Sequence, residues 1–219
     1  MRNRFDEELF ELNRKIIEMG AMCEEAIGSA FKALSTGDVE LAAQVRTNGP
    51  AIDQMERDIE NSCMKLLLHQ QPVARDLRKI SAALKMITDM ERIGDQAEDI
   101  SEIVQFLKGR TTDNMDLLQE MVKETMGMVT SSVDAFVKKD VDLANDVIKR
   151  DDTVDELFHK VKNNLIAYVK DNPDDGEFAL DILMITKYLE RIGDHATNIA
   201  EWVIYAITGV HDEHEEVQQ

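Results

Sequence analysis

The pentapeptide Glu-Arg-Ile-Gly-Asp occurs twice in this chain, at residues 91–95 and 190–194, an offset of 99 residues. In each copy a glutamate precedes an aspartate by four positions, which is about one turn of an α-helix. Side chains at this spacing have Cβ atoms about 5–6 Å apart, so both carboxylates can reach one cation. The chemistry that this motif predicts is therefore metal binding.

Further polar residues extend each copy along one side of its helix, opposite an apolar stripe. The first polar stripe consists of Glu91, Asp95, Glu98, Asp99 and Glu102. The second consists of Glu190, Asp194, Asn198 and Glu201. We therefore expect the carboxylates to face away from the apolar side of each helix. Gly94 and Gly193 recur in the middle of these helices, where glycine costs about 1 kcal/mol relative to alanine, and this predicts close contact with a neighbouring helix.

Neighbouring segments supply more acids. Asp151 and Asp155 repeat the spacing of four upstream of the second copy, and Asp53 aligns with Asp155 in the first half. If these segments are helices packed beside the motif helices, their acids converge into two oxygen-rich clusters. The residues predicted for the first cluster are Asp53, Glu91, Asp95 and Asp99. Those predicted for the second are Asp151, Asp155, Glu190, Asp194 and Asn198. Such ligands favour hard cations and allow clusters of several ions; the alternative is a solvated charged face.

A weaker repeat indicates that the duplicated unit is long. Residues 38–53 resemble residues 140–155 with an offset of 102, so the chain consists of two similar halves of roughly a hundred residues. We predict a first three-helix repeat at 1–109, a second at 110–210, and a disordered polar tail at 211–219.

The composition favours helices throughout. Ten glycines, three prolines and 5% aromatic residues describe a chain poor in strand formers. Punctuation at residues 35–38, 71–72, 109, 138–140, 171–174 and 208–209 divides it into six long helices. The predicted fold is all α, with two tandem homologous three-helix bundles. Pro50 falls inside the second helix, and we expect a kink or break there.

The charge of the chain excludes several classes of partner. The formal net charge is −19, from 25 basic and 44 acidic residues, so binding to nucleic acid or anionic lipid is disfavoured. Two isolated cysteines, no apolar run long enough to span a bilayer and no signal peptide together predict a cytoplasmic protein without direct membrane insertion.

The twin motif helices, each closing a three-helix unit, closely resemble the PhoU family. Residues 91–100 and 190–199 are similar to the two metal-binding helices of that family, and residues 151–155 to the partner motif of its second unit. The resemblance implies dimeric helical bundles that carry multinuclear clusters of iron, zinc, manganese or magnesium. It also implies partners: the ATPase and membrane subunits of the high-affinity phosphate ABC transporter and a phosphate-sensing histidine kinase. Members restrain phosphate uptake and starvation signalling without catalysis.

One departure distinguishes the two halves. The position aligned with Asp151 is Gly49, followed by Pro50, so the first cluster is expected to lose a ligand and the second to bind metal more tightly. Two other functions remain open. A carboxylate-bridged metalloenzyme would need inward-facing ligands and an enclosed pocket, and an accessory protein of low-affinity phosphate carriers would have a similar fold.

Overall fold

The computed structural model describes residues 2–69, 72–112 and 115–210, and throughout these ranges the regular structure is helical. The predicted all-α class and the number of long helices are confirmed. The helices are α1 (Arg2–Thr36), α2 (Val39–His69), α3 (Ala74–Val104), α4 (Asp116–Lys138), α5 (Val141–Asp171) and α6 (Gly176–Thr208). The predicted tail at 211–219 lies outside the described residues.

Local chemistry explains most helix ends. α1 ends before Gly37, which has φ +68°, and a side-chain oxygen of Asp38 accepts a hydrogen bond of 2.9 Å from the backbone N–H of Leu41. The second half repeats this arrangement, with Lys139 at φ 56° and Asp140 accepting from the N–H of Leu143. Both junctions combine a left-handed residue after one helix with an N-cap before the next.

One predicted break and one predicted helix end need correction. α2 does not break at Pro50 but runs from Val39 to His69, and the alternative expectation of a kink there stays a prediction. Val45 and Ile52 are buried on either side of the proline, so packing against α1 and α3 compensates for the hydrogen bond that proline cannot donate. α3 ends at Val104 rather than at Gly109, because turns occupy the intervening residues.

The helices form two three-helix bundles that share one apolar core. α1, α2 and α3 contact one another, as do α4, α5 and α6, and the two bundles meet where α3 packs on α6 and α1 on α4. Residues from both halves belong to one continuous cluster of buried side chains. Among the described helices, none is both long enough and apolar enough to cross a membrane.

The connection between the halves is fixed to the second bundle by Arg110. Its guanidinium donates to both carboxylate oxygens of Asp175, at 2.9 and 3.0 Å, and to the hydroxyl of Tyr168 at 2.8 Å. The same group lies 3.7 Å from the ring centroid of Phe178. Because these partners belong to the end of α5, the 3-10 turn Pro173–Asp175 and the start of α6, Arg110 joins the connection to that corner of the bundle.

Candidate metal centres

Three predicted ligands of the first half lie together at the contact between α2 and α3. One carboxylate oxygen from each of Asp53, Glu91 and Asp95 lies within 4.8 Å of those of the other two. We call these three residues the first cluster. Within the described residues, no other group of three or more potential ligands lies this close together. The sequence suggested that these acids would face solvent. In the structure they are partly buried between the helices.

Close packing of α2 on α3 brings the first cluster together. Gly94 is buried one residue before Asp95, and a Cβ atom placed on it would lie 2.9 Å from Cδ1 of Ile52. Ile52 immediately precedes Asp53, so the contact that needs glycine also places Asp53 beside the acids of α3. The predicted close approach at Gly94 is therefore confirmed.

The first cluster concentrates negative charge with two arginines beside it, of which Arg57 lies 4.0 Å from a carboxylate oxygen of Asp53. Partial burial, followed by the nearby Asp95, raises the pKa of Glu91. Arg92 forms ion pairs of 3.0 Å with Asp95 and 3.5 Å with Glu91. Because Arg92 is half-exposed, it can move away from these carboxylates when another cation approaches.

Two glutamates near the first cluster were not among its predicted ligands. The pKa of Glu56 is raised by burial and by the neighbouring Glu60, and Glu56 lies close enough to Glu91 to raise its pKa in turn. The pKa of Glu98 is raised by burial, then by Asp95 and Asp53. Glu98 belongs to the polar stripe read from the sequence, but the stripe alone does not show which of its members reaches α2.

The acids predicted for the second half lie near the contact between α5 and α6, although within the described residues no three of them have ligand atoms within 4.8 Å of one another. Burial raises the pKa of Asp151 to about 6, with further contributions from Asp194 and Asp155. The pKa of Asp155 is raised by burial and by Glu190, and that of Asp194 by loss of hydration and by Glu190. We call Asp151, Asp155, Glu190 and Asp194 the second cluster.

The second cluster differs from the first in its surroundings. Glu190 forms a close ion pair with Lys187, which belongs to the preceding turn of α6. The hydroxyl oxygen of Thr197 is buried and has no hydrogen-bond partner. It lies near Asp151 and opposes the rise in the pKa of that residue, although the contact does not meet hydrogen-bond geometry. A cation among these carboxylates would compete with Lys187 for Glu190.

The last predicted ligand of each half lies toward the opposite half. Asn198 donates a hydrogen bond of 3.1 Å to Asp89 in α3, and the ring of His195 lies 2.9 Å from the same carboxylate oxygen. Asp99 occupies the position equivalent to Asn198. Burial and the nearby Asp95 raise its pKa, whereas Arg191 of α6 lowers it. These contacts between α3 and α6 were not foreseen from the sequence, and the ligand roles of Asp99 and Asn198 stay predictions.

Two observations bear on the expected weakness of the first site, which stays a prediction. Gly49 does leave room beside the first cluster, but the space is occupied by the carboxylate of Glu98. Pro50 does not interrupt α2 either. The first half therefore keeps both its helix and a carboxylate at the position where the sequence suggested a loss.

A cleft of about 310 Å³ between α1, α2 and α3 lies next to the first cluster. Among the described residues, its lining includes Gly94 and Glu98 but none of the three acids of the cluster. An enclosed catalytic metal site would require the carboxylates to line the cleft. Those of the first cluster do not line this one.

Comparison with known proteins identifies relatives over nearly the whole chain. The sequence profile of the PhoU domain matches residues 16–104 and 118–203, once in each half. A protein of Clostridium acetobutylicum, named phosphate-specific transport system accessory protein PhoU homolog, is 37% identical over 212 residues, covering 95% of this chain and 96% of that protein. A protein of the same name from Aquifex aeolicus is 38% identical, covering 97% of this chain and 96% of that protein.

Solved structures show the same arrangement of helices. The crystal structure of PhoU from Pseudomonas aeruginosa matches with a TM-score of 0.88 and 36% identity, covering 94% of this chain and all of that chain. The crystal structure of the phosphate transport system regulatory protein PhoU from Streptococcus pneumoniae matches with a TM-score of 0.86 and 28% identity, over 95% of this chain and 99% of that chain.

Proposed function

Because the chain belongs to the PhoU family, we propose that it is a cytoplasmic negative regulator of phosphate homeostasis. In this role it restrains high-affinity phosphate uptake and phosphate-starvation signalling, as an adaptor between the phosphate ABC transporter and its sensor kinase. The observation that supports the proposal best is full-length similarity to proteins named as accessory to phosphate-specific transport, with the acidic helix retained in both halves.

We further propose that the acidic clusters bind divalent or trivalent metal ions. Iron, zinc, manganese and magnesium are the candidates, and several ions can share one group of carboxylates. The grouped oxygens of the first cluster are a feature that a bound cation accounts for. When bound, the metal would supply positive charge at the surface. The carboxylates hold it, and in its absence they repel one another.

The proposed partners are the ATPase and membrane subunits of the phosphate transporter and the phosphate-sensing histidine kinase. Docking on proteins is consistent with the net charge of −19, which favours basic protein surfaces over nucleic acid or anionic lipid. The protein acts without catalysis in this proposal, and a homodimer is its expected form.

The regulatory role is tested in a bacterium that lacks its own PhoU and carries a reporter for phosphate-starvation genes. With phosphate plentiful, we expect the reporter to be active in the empty-vector strain and silent when this chain is expressed. A reporter that stays active, in cells where the soluble protein accumulates, would contradict the role. Phosphate uptake measured in the same strains checks the effect on transport separately.

The adaptor role is tested with purified partners. We expect the transporter ATPase and the cytoplasmic part of the kinase each to bind this chain in a direct binding assay, and light scattering to give twice the mass of one chain. Binding that persists only below about 50 mM salt would indicate unspecific attraction to the acidic surface. Absence of binding to both partners would contradict the adaptor role while leaving the metal-binding proposal intact.

A further inference from the structure

The two halves differ at two positions that face each other across the helix contact beside each cluster. Asp53 and Asp155 are equivalent, which aligns Gly49 with Asp151. The twin motifs are offset by 99 residues, which aligns Glu98 with Thr197. The first half therefore has a glycine on α2 opposite a glutamate on α3, whereas the second has an aspartate on α5 opposite a threonine on α6.

In the first half, the carboxylate of Glu98 lies directly on the backbone of Gly49. A Cβ atom placed on Gly49 would overlap Oε1 and the carboxyl carbon of Glu98 and would lie 3.0 Å from Oε2. Any side chain at position 49 would therefore displace the glutamate. Gly49 is buried, so the carboxylate covers this part of α2.

In the second half, the carboxylate that reaches across the helix contact comes from the other helix. A Cβ atom placed on Gly193 would lie 3.5 Å from Oδ1 of Asp151, so the aspartate of α5 reaches the motif helix α6. The residue opposite, Thr197, is short enough to leave room for that aspartate. In each half a carboxylate therefore reaches across to the backbone of the paired helix.

The electrostatic surroundings of the two carboxylates also correspond. Burial, followed by the nearby Asp95 and Asp53, raises the pKa of Glu98. Burial, followed by their equivalents Asp194 and Asp155, raises the pKa of Asp151. Arg46 is the cation that opposes them at Glu98. The two residues thus face matching pairs of acids, although they belong to different helices.

We propose that Glu98 provides in the first half the metal ligand that Asp151 provides in the second, so that the ligand is exchanged across the helix pair rather than lost. This inference rests on the metal-binding part of the proposed function. The ligand sets then have equal numbers of carboxylates. They are Asp53, Glu91, Asp95 and Glu98 in the first half, and Asp151, Asp155, Glu190 and Asp194 in the second.

The exchange is tested by titrating manganese(II) into the first site alone. Asp155→Asn and Asp194→Asn disable the second cluster in every protein used, and calorimetry measures the remaining affinity. We expect Glu98→Thr to weaken manganese binding by about tenfold or more, the size of effect typical of residues that support a metal site. Glu98→Gln, which keeps the shape of the side chain, should weaken binding similarly.

The decisive variant transfers the second-half arrangement to the first half. We expect Gly49→Asp with Glu98→Thr to restore affinity to within about threefold of the starting protein. Gly49→Asp alone should not improve binding, because the new side chain collides with Glu98. Glu102→Thr, an exposed acid one turn further along α3, is the matched control and should leave affinity unchanged.

The outcomes separate this inference from the function on which it rests. Unchanged manganese affinity in Glu98→Thr and Glu98→Gln would overturn the ligand role. Glu98 would then act only as the electrostatic partner of Arg46. A double variant that keeps its helical circular dichroism but does not recover binding would overturn the exchange. If the chain without any substitution binds none of manganese, iron, zinc and magnesium, the metal-binding proposal itself fails and the exchange fails with it.

Discussion

At the scale of single residues, the clusters place carboxylates where their ionised forms repel one another. Burial and neighbouring acids raise the pKa of Glu91, Glu98 and Asp155, and most strongly that of Asp151. In a helical protein whose surface could hold these acids apart, such a grouping is unfavourable unless a cation binds there. We therefore expect the stability of the folded protein to fall as the pH rises and to increase when a metal ion binds.

The first prediction concerns pH in the presence of a chelator. The pKa of Asp151 is about 6 in the folded protein and has an ordinary value of 3.8. The folded state therefore binds this proton more tightly, so stability rises as the pH falls from about 6 towards 4 and is lowest above 6. After allowance for solvent screening, we expect Asp151 to contribute about 1 kcal/mol to this rise.

Urea unfolding at pH 7.5 and pH 5 measures the effect. We expect Asp151→Asn to stabilise the protein at pH 7.5 and to reduce the gain in stability at pH 5. Asp152→Asn removes a charge from the adjacent, exposed position and serves as the control. Equal pH dependence in the wild type and in Asp151→Asn would show that the carboxyl of Asp151 titrates normally.

The residues of the site were only partly predictable from the sequence. The spacing of Glu91 and Asp95 fixes their place on one face of a helix, and the structure adds Asp53 to them as expected. The side-chain length and reach that bring Glu98 onto Gly49 depend on the distance between two helix axes, which periodicity does not contain. For the same reason the contact of Asn198 with Asp89 in the other half could not be foreseen.

At the scale of helices, capping residues predicted the ends well because they act locally. Asp38 and Asp140, which lie in two of the predicted interruptions, cap their helices. Pro50 shows the limit of local rules, because packing on both sides keeps α2 continuous although proline removes one hydrogen bond. The two motif glycines show a further dependence on packing, since identical pentapeptides meet different neighbours.

The second prediction compares Gly94→Ala with Gly193→Ala. A Cβ atom at Gly94 would lie 2.9 and 3.3 Å from two carbons of Ile52, whereas at Gly193 the nearest atom, in Val154, is 3.4 Å away. Alanine favours a helix over glycine by about 1 kcal/mol, so Gly193→Ala should stabilise by up to that amount. At Gly94 crowding should cancel or reverse the gain. Thermal unfolding of both variants checks the order, which equal stabilisation would contradict.

The third prediction concerns Arg110, which joins the connection between the halves to the second bundle. Arg110→Ala removes a paired guanidinium from Asp175 and Tyr168 and a cation from the face of Phe178. We expect a lower Tm and faster proteolysis of residues 105–112. Lys108→Ala is the control, because Lys108 makes one long, exposed ion pair of 3.9 Å. Equal effects of the two substitutions would show that the cluster around Arg110 adds nothing.

At the scale of the whole molecule, the duplicated acids contribute to a net charge of −19. Ordinary salt screens such repulsion over about 8 Å at physiological ionic strength, whatever the positions of the charges. A metal site instead responds to low concentrations of one cation and depends on particular carboxylates. The two effects are therefore separable by comparing salts at equal ionic strength.

The fourth prediction uses this difference. Manganese(II) at a hundred times its dissociation constant should stabilise the folded protein by about 2.7 kcal/mol per site, or roughly 5–10 °C in Tm, whereas sodium chloride of equal ionic strength should have a much smaller effect. The double variant Asp95→Asn and Asp194→Asn should start from a higher Tm without metal, because repulsion is relieved in both clusters. It should then gain little from manganese. If it gained as much as the wild type, the cation would be acting on the general acidic surface, because a bound site cannot survive the loss of a central ligand in each half.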